Sequence, residues 1–500
     1  MKVLFYQRGN VKDPIGLFSL FAVLQGKHDV TYCRTEAELK DALSSQPDFL
    51  MFSVYTGDSE YFKELAYTVK KQYPKIKIVA GGPHPTFYPQ YIEECEAFDA
   101  ICLGEGEGPA VKFLELYGQG AAYQKTPNFH IRAEGEIVRN PLEPRIADLD
   151  ILPMPERSLL YQRYPEEAKA QLKYFLFGRG CPFDCTYCFN HKIHEMYAGI
   201  EESSRRVRQR SPELAIEEML RVKAQYGLEV VRIIDDVLTF KKTWLREFIH
   251  LYRKKVGLPF ICHYRMNLVD QEVVELLKEG NCITVSVAIE SGDSYLRNSI
   301  LKRNMSDETI YNAIRLLKKG GLKVVCENIT GLPGETAEQA LKTLDMNIKT
   351  GVDHGYCSLL QPYPGLQITE YAIRGKYFDG NFKRLPNNYS QYSVLDFKDT
   401  ATKEFLENLA GVFPFCVDFP QARPMLLFLA KRLPHSFLMT KLFVTVNALY
   451  YEQKVKGLIF STRHAGKPLL VTLTIFRILS LPFRFIAKKC GLKRLLRRYS

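Results

Sequence analysis

The chain has 500 residues, 46% apolar and 25% charged, which excludes a disordered or fibrous protein and suits two or three domains. Its net charge of +12 is local: after Glu452 there is no Asp or Glu, while twelve Lys and Arg residues lie between Lys454 and Arg498. The opening MKVLFYQ is too short an apolar run for a secretory signal, so the twelve cysteines argue for reduced thiols in a cytoplasmic setting rather than a disulfide framework.

Residues 1–120 predict a doubly wound parallel sheet. Short β-rich runs at 2–6, 29–33, 48–54, 75–82 and 98–104 alternate with helical stretches such as 59–73, where Phe62, Leu65, Ala66 and Val69 share one face. Such sheets bind ligands beyond the carboxyl ends of their strands. Two glycine-rich turns lie there, GGPHPT (81–86) and GEGEG (104–108), and the second enters a helix N-terminus suited to phosphate. Turns of this kind serve chain reversal as readily as ligand contact, and both readings stand.

Residues 121–172 lack long periodic segments. NFHIRAEGEIVRN (128–140) predicts a small hairpin, and the proline-rich stretch 141–160 a linker. From 173 to 365 the alternation resumes, with strands predicted at 174–177, 229–235, 260–265, 283–289, 323–329 and 355–361. Helices at 211–227 and 306–321, the latter with Ser306 as N-cap, fall between them. Six such units make a partial barrel, whose active residues belong at strand ends.

Residues 366–500 lose this rhythm and predict a helical, apolar and basic region. The run 468–483 falls short of the ~20 residues of a membrane span and holds Arg477. It and 483–499 read as segments lying on a membrane, and the apolar residues among the basic ones favour phospholipid over nucleic acid.

The sharpest signal is GRGCPFDCTYCFN (178–190), with Cys181, Cys185 and Cys188 in a Cys-x3-Cys-x2-Cys pattern. Structural zinc takes four protein ligands, and no second Cys-x-x-Cys pair exists in the chain. Three thiolates suit three corners of a four-iron, four-sulfur cluster, leaving one iron open. A zinc site or unrelated buried cysteines are the competing readings.

This pattern, on the first strand of a six-unit barrel, resembles that of the radical S-adenosylmethionine (SAM) enzymes. IIDDVLTF (233–240), CHYRMNLVD (262–270), VAIESGDSYLRNSILKR (287–303), ENITGLPGET (327–336) and QPYPG (361–365) resemble the family's successive strand-end motifs. The N-terminal sheet with ADLDILPMPER (147–157) is similar to that of the cobalamin-binding subgroup. The Asp-x-His-x-x-Gly motif that ligates cobalt in many cobalamin domains is absent, which leaves the lower ligand open.

The resemblance implies three cofactors: a 4Fe-4S cluster on Cys181, Cys185 and Cys188, SAM on the open iron, and cobalamin on the N-terminal sheet. It implies SAM contacts at Tyr187, Asp235, Asp236, Arg265, Glu290, Gly331 and Glu335. Of the adjacent aspartates only one can face inward, where it would accept from the SAM ammonium, and the other is expected to cap the next helix. Glu290 suits the ribose hydroxyls, Arg265 the SAM carboxylate, and Glu335 either SAM or the first turn of a helix. Gly81, Gly82, His84, Gly104, Glu105 and Gly106 are the expected cobalamin contacts. Cys326 and Cys357 are candidates for a hydrogen-donating thiol if they face the barrel interior, and otherwise inert core residues.

The implied activity is reductive cleavage of SAM and methylation of an unactivated carbon of an apolar lipid or natural product. Cobalamin-assisted cyclisation or rearrangement and a non-catalytic sensor are the alternatives. The implied partners are a small molecule, a flavodoxin- or ferredoxin-like electron donor and, through the basic tail, the cytoplasmic face of a membrane, with no nucleic acid. The full chain is therefore expected to float with anionic vesicles and a chain ending at Glu452 to stay behind. Equal flotation would remove the tail from membrane binding.

Overall fold

The computed structural model describes residues 1–432 apart from 10 and 203–205, together with 445–447, 450 and 454. The predicted membrane-surface segments 468–483 and 483–499 lie outside the described residues. No helix among the described residues is long and apolar enough to cross a membrane.

Strands β1 (Lys2–Tyr6), β2 (Asp29–Cys33), β3 (Phe49–Ser53), β4 (Lys77–Gly81) and β5 (Ala100–Cys102) form a parallel sheet in the order β2-β1-β3-β4-β5. Period-two alternation sorts their side chains between two cores: Leu4 and Tyr6 face one cluster, Val3 and Phe5 the other. The hairpin β6 (Phe129–Ala133) and β7 (Glu136–Arg139) is not a free linker element. It continues this sheet antiparallel to β5, across a turn at Glu134 and Gly135 with positive φ at both.

The second sheet is parallel throughout and runs in chain order through β8 (Leu172–Phe175), β11 (Val230–Ile233), β12 (Phe260–His263), β13 (Cys282–Glu290), β14 (Lys323–Thr330) and β15 (His354–Leu359). Between β8 and β11 a two-strand ribbon pairs β9 (Gly178–Arg179) with β10 (Arg208–Gln209). Helices between the strands begin as their sequences dictate, with Ser306 accepting from the Thr309 amide and Thr336 forming a capping box with Gln339.

One face of this sheet is dry. Phe175, Val231, Ile233, Cys262, Val287, Cys326 and Cys357 pack into the core shared with the helices. The neighbouring residue on each strand turns to the barrel lumen: Tyr174, Arg232, His263, Ala288, Glu327 and Tyr356 are all partly or well exposed. Beyond β15 the helix Thr400–Asp418 covers the edge strand, where Gly355 leaves room for Val417 and Phe413. Asp418 accepts from the His354 ring at 3.1 Å, from the Tyr450 hydroxyl at 2.6 Å and pairs with Lys454 at 3.1 Å.

The linker fastens the two sheets through Arg157, whose side chain is 1% exposed. Its guanidinium pairs with Asp13 of the first domain and Glu218 of the second, each at 3.3 Å, and donates to the Tyr174 carbonyl of the barrel at 2.7 Å. Phe18 and Phe175 lie against it. Removing one partner from a buried ion pair leaves uncompensated charge. Arg157→Ala is expected to destabilise the chain by about 3–5 kcal/mol, read as a lower midpoint in denaturant unfolding.

Candidate active site

The loop after β8 carries the three cysteines into the barrel mouth. Cys185 is buried, while Cys181 and Cys188 are half-buried. Two arginines from later strand ends converge on the Cys185 sulfur. The Arg265 guanidinium donates to it at 3.5 Å and lies 3.6 Å over the Phe183 ring. Arg303 lies beside the same thiol, and its carbonyl accepts from Arg265, so the two cations are linked.

Arg303 also donates to the Tyr187 hydroxyl at 2.9 Å, and that hydroxyl donates to Glu290 at 2.8 Å. Burial raises the Glu290 carboxyl, and the neighbouring Arg303 charge opposes the rise. Glu290 holds a left-handed backbone, φ 65°, at a register shift between β13 and β14. A non-glycine residue there is strained, and strain of this kind persists where its surroundings fix it.

The two aspartates diverge as adjacent strand-end residues must. Asp235 is buried and accepts from the amides of Phe177 and Gly178, which tethers the start of the cysteine loop to β11. Burial pushes its carboxyl up to about 8, against those two amides. Asp236 is exposed and accepts from the Asn190 side chain at 2.8 Å, and the same amide reaches the Cys188 sulfur at 3.6 Å. Neither caps the next helix, Lys242–Lys255, which starts after Lys241. Glu335 precedes its helix and closes its own loop, accepting from the Thr330 hydroxyl and the Gly331 and Leu332 amides. Burial pushes it up to about 7.

Cys326 and Cys357 do not face the lumen. Both lie in the core on the helix side of their strands, and Cys326 sits beside Asn328, which bonds Asn347 of the helix Ala337–Thr350. Strand alternation decides this, since Glu327 takes the inward position.

The expected cofactor turns of the first domain are largely taken up by the protein. Glu105 and Glu107 form ion pairs with Arg179 and Arg208 of the ribbon beneath the cysteine loop. The space where Gly104 lacks a Cβ is filled by the Tyr197 hydroxyl, and Gly106 lies against Leu20. Gly81 ends β4, and Gly82 passes close to Val54 with φ 95°. His84 is buried and bonds the Thr56 hydroxyl at 3.2 Å, and burial lowers its pKa to about 4. Phe87 stacks on Phe189 of the cysteine loop, ring centroids 4.1 Å apart. The carboxyl ends of the two sheets thus face one another.

A model of the Radical SAM superfamily matches residues 175–346, and one of the B12 binding domain matches residues 1–114. The chain belongs to the cobalamin-binding radical SAM enzymes. An uncharacterized methyltransferase of Pyrococcus horikoshii is 26% identical over 397 residues, 78% of this chain and 83% of that protein. An anaerobic magnesium-protoporphyrin IX monomethyl ester cyclase of Rubrivivax gelatinosus is 26% identical over 342 residues, 66% of this chain and 59% of that protein. The solved structure of the cobalamin-dependent SAM radical enzyme OxsB, with aqua-cobalamin bound, superposes with a TM-score of 0.65 at 15% identity, covering 92% of this chain and 72% of that one.

Cofactors of this radical SAM enzyme are a 4Fe-4S cluster, SAM and cobalamin. The donor set fits the cluster: three soft sulfurs, two of them half-buried at the mouth, with guanidinium cations beside the third. Arg303, the last residue of the segment 287–303, is not singled out as a site residue by the sequence. A basic residue in a polar turn is a signal that surface arginines share.

Burial pushes Cys181 up to about 11 and Cys188 up to about 12, so both carry protons at neutral pH in the metal-free chain. Iron must displace those protons, so loading strengthens as pH rises. Iron retained after anaerobic reconstitution and desalting is expected to increase from about pH 7 to about pH 9. A flat profile would show that the thiols are already ionised.

Proposed function

We propose that this radical SAM enzyme methylates an unactivated carbon of a small molecule whose body is apolar. The observation that carries the reading is the apposition of strand ends, with the B12-binding domain on one side and Cys181, Cys185 and Cys188 on the other. The relative from Pyrococcus horikoshii, named a methyltransferase, supports methyl transfer over cyclisation because the chain covers more of it. When bound, the cluster, SAM and cobalamin supply a reducing electron, a radical source and a methyl carrier.

The chain's own residues hold these parts in register. Arg265 bonds the Cys185 sulfur, and Arg265 and Arg303 together place positive charge beside it. Tyr187 and Glu290 present a hydroxyl and a carboxylate at the same mouth, suited to the polar edge of a nucleoside. Asp236, beside Cys188, offers an exposed acceptor for an ammonium group, while Asp235 and the Glu335–Gly331 loop keep the surrounding backbone rigid. Phe87, Phe189 and Tyr363 form an aromatic wall that excludes water and receives an apolar body.

Cobalamin is assigned to the crevice between β1 and β3, where the order β2-β1-β3-β4-β5 reverses direction. Gly9 there has φ 84° with open space around it, and Tyr55 is 46% exposed. A flavodoxin- or ferredoxin-like protein is the proposed electron donor, and the basic tail the proposed contact with the cytoplasmic membrane face.

Anaerobic reconstitution with iron, sulfide, cobalamin, SAM, a low-potential reductant and a metabolite extract tests the reaction. S-adenosylhomocysteine and 5′-deoxyadenosine are expected together. The second product alone would favour rearrangement, and neither would leave a sensor. Cys185→Ala is expected to abolish both products, and surviving activity would overturn the cluster assignment.

A further inference from the structure

Parallel sheets are ordinarily covered on both faces. Among the described residues helices pack on one face of the barrel sheet only, and the accessible lumen face carries polar side chains: Tyr174, Arg232, His263, Glu327 and Tyr356 lie on it. Glu327 is the most exposed of these, and among the described residues no hydrogen bond or ion pair reaches its carboxylate. Surface exposure and desolvation disagree at this residue. It is open to solvent, yet the surrounding protein raises its pKa, with the Arg232 and Arg303 charges opposing. A carboxylate on the wall of a concavity meets both conditions, because water reaches it from one direction only.

Strand register fixes what stands beside it. Glu327 pairs with Ala288 of β13 and with Tyr356 of β15, and its neighbour Asn328 pairs with Glu290. Glu290 is the residue bonded through Tyr187 to Arg303, which lies beside the Cys185 thiol. A group held by Glu327 therefore lies beside the cysteine loop, with the Tyr356 ring next to it. Arg232, the opposite charge in this layer, lies by the Tyr174 ring at 5.7 Å. A carboxylate in a partly dry cavity is stabilised most by a positively charged donor, and an aromatic neighbour adds to that preference.

We propose that Glu327 is a substrate-binding residue that anchors a cationic nitrogen, such as an ammonium group, on an otherwise apolar substrate in the barrel lumen. This rests on the reading of the lumen as the substrate site of the methyl-transfer enzyme, and narrows its substrate to amines and related cations.

The test uses the full chain loaded with iron, sulfide and cobalamin, and three probes of one shape: phenethylamine, 2-phenylethanol and 3-phenylpropionate. Binding is read by saturation-transfer NMR and equilibrium dialysis. Phenethylamine is expected to bind at least about tenfold tighter than the alcohol or the acid, and Glu327→Gln to lose about tenfold for the amine alone. Glu327→Asp is expected to retain an intermediate affinity. Unchanged melting temperature and iron content show that the Gln variant is folded and loaded. Equal amine binding by Glu327→Gln, or preference of the unaltered chain for the alcohol or acid, would overturn the proposal, as would no amine binding at all. Because the readout is binding, it stands or falls separately from the products that test methyl transfer.

Discussion

The arrangement of the whole site depends on the ion pairs that join Glu105 and Glu107 to Arg179 and Arg208. Arg179 is two residues before Cys181, on the ribbon that launches the cysteine loop. Through these pairs the last parallel strand of the B12-binding domain grips the base of that loop, rather than docking on a remote helix. Arg157 makes a second buried junction, so the domains are joined at both a loop and a linker. Four charges gathered at a seam cost desolvation, and they are stabilised because each carboxylate meets an arginine.

A similar economy of charge surrounds the sulfurs. Arg265 and Arg303 serve a thiol, a hydroxyl and backbone carbonyls, not a matched set of carboxylates. The two guanidinium groups bring positive charge to the Cys185 sulfur, and Glu290 offsets part of it through Tyr187. The left-handed backbone at Glu290 is held by this network and by the register shift beneath it.

Much of this was legible in the sequence because it depends on local rules. Strands predicted at 2–6 and 29–33 occur at those residues, and the six barrel strands follow the alternation from 173 to 365. The cysteine spacing named its own chemistry. What stayed hidden required partners distant in sequence. That Asp235 serves the amides of Phe177 and Gly178, or that GEGEG faces Arg179 and Arg208, follows from packing between elements, which no local pattern encodes. The glycine turns allow ligand contact or plain chain reversal by sequence alone, and packing takes up one of them, where Tyr197 fills the space at Gly104. Cys326 stood out by residue type, whereas the accessible position next to it belongs to Glu327.

The brace formed by His354, Asp418, Tyr450 and Lys454 ties the final described helix residues to β15. The brace therefore closes the barrel's edge strand from the side of the helix Thr400–Asp418. β15 adjoins the strand that carries Glu327. The strand that the brace steadies is thus the one against which the Glu327 strand is registered, so the brace also sets the wall of the lumen.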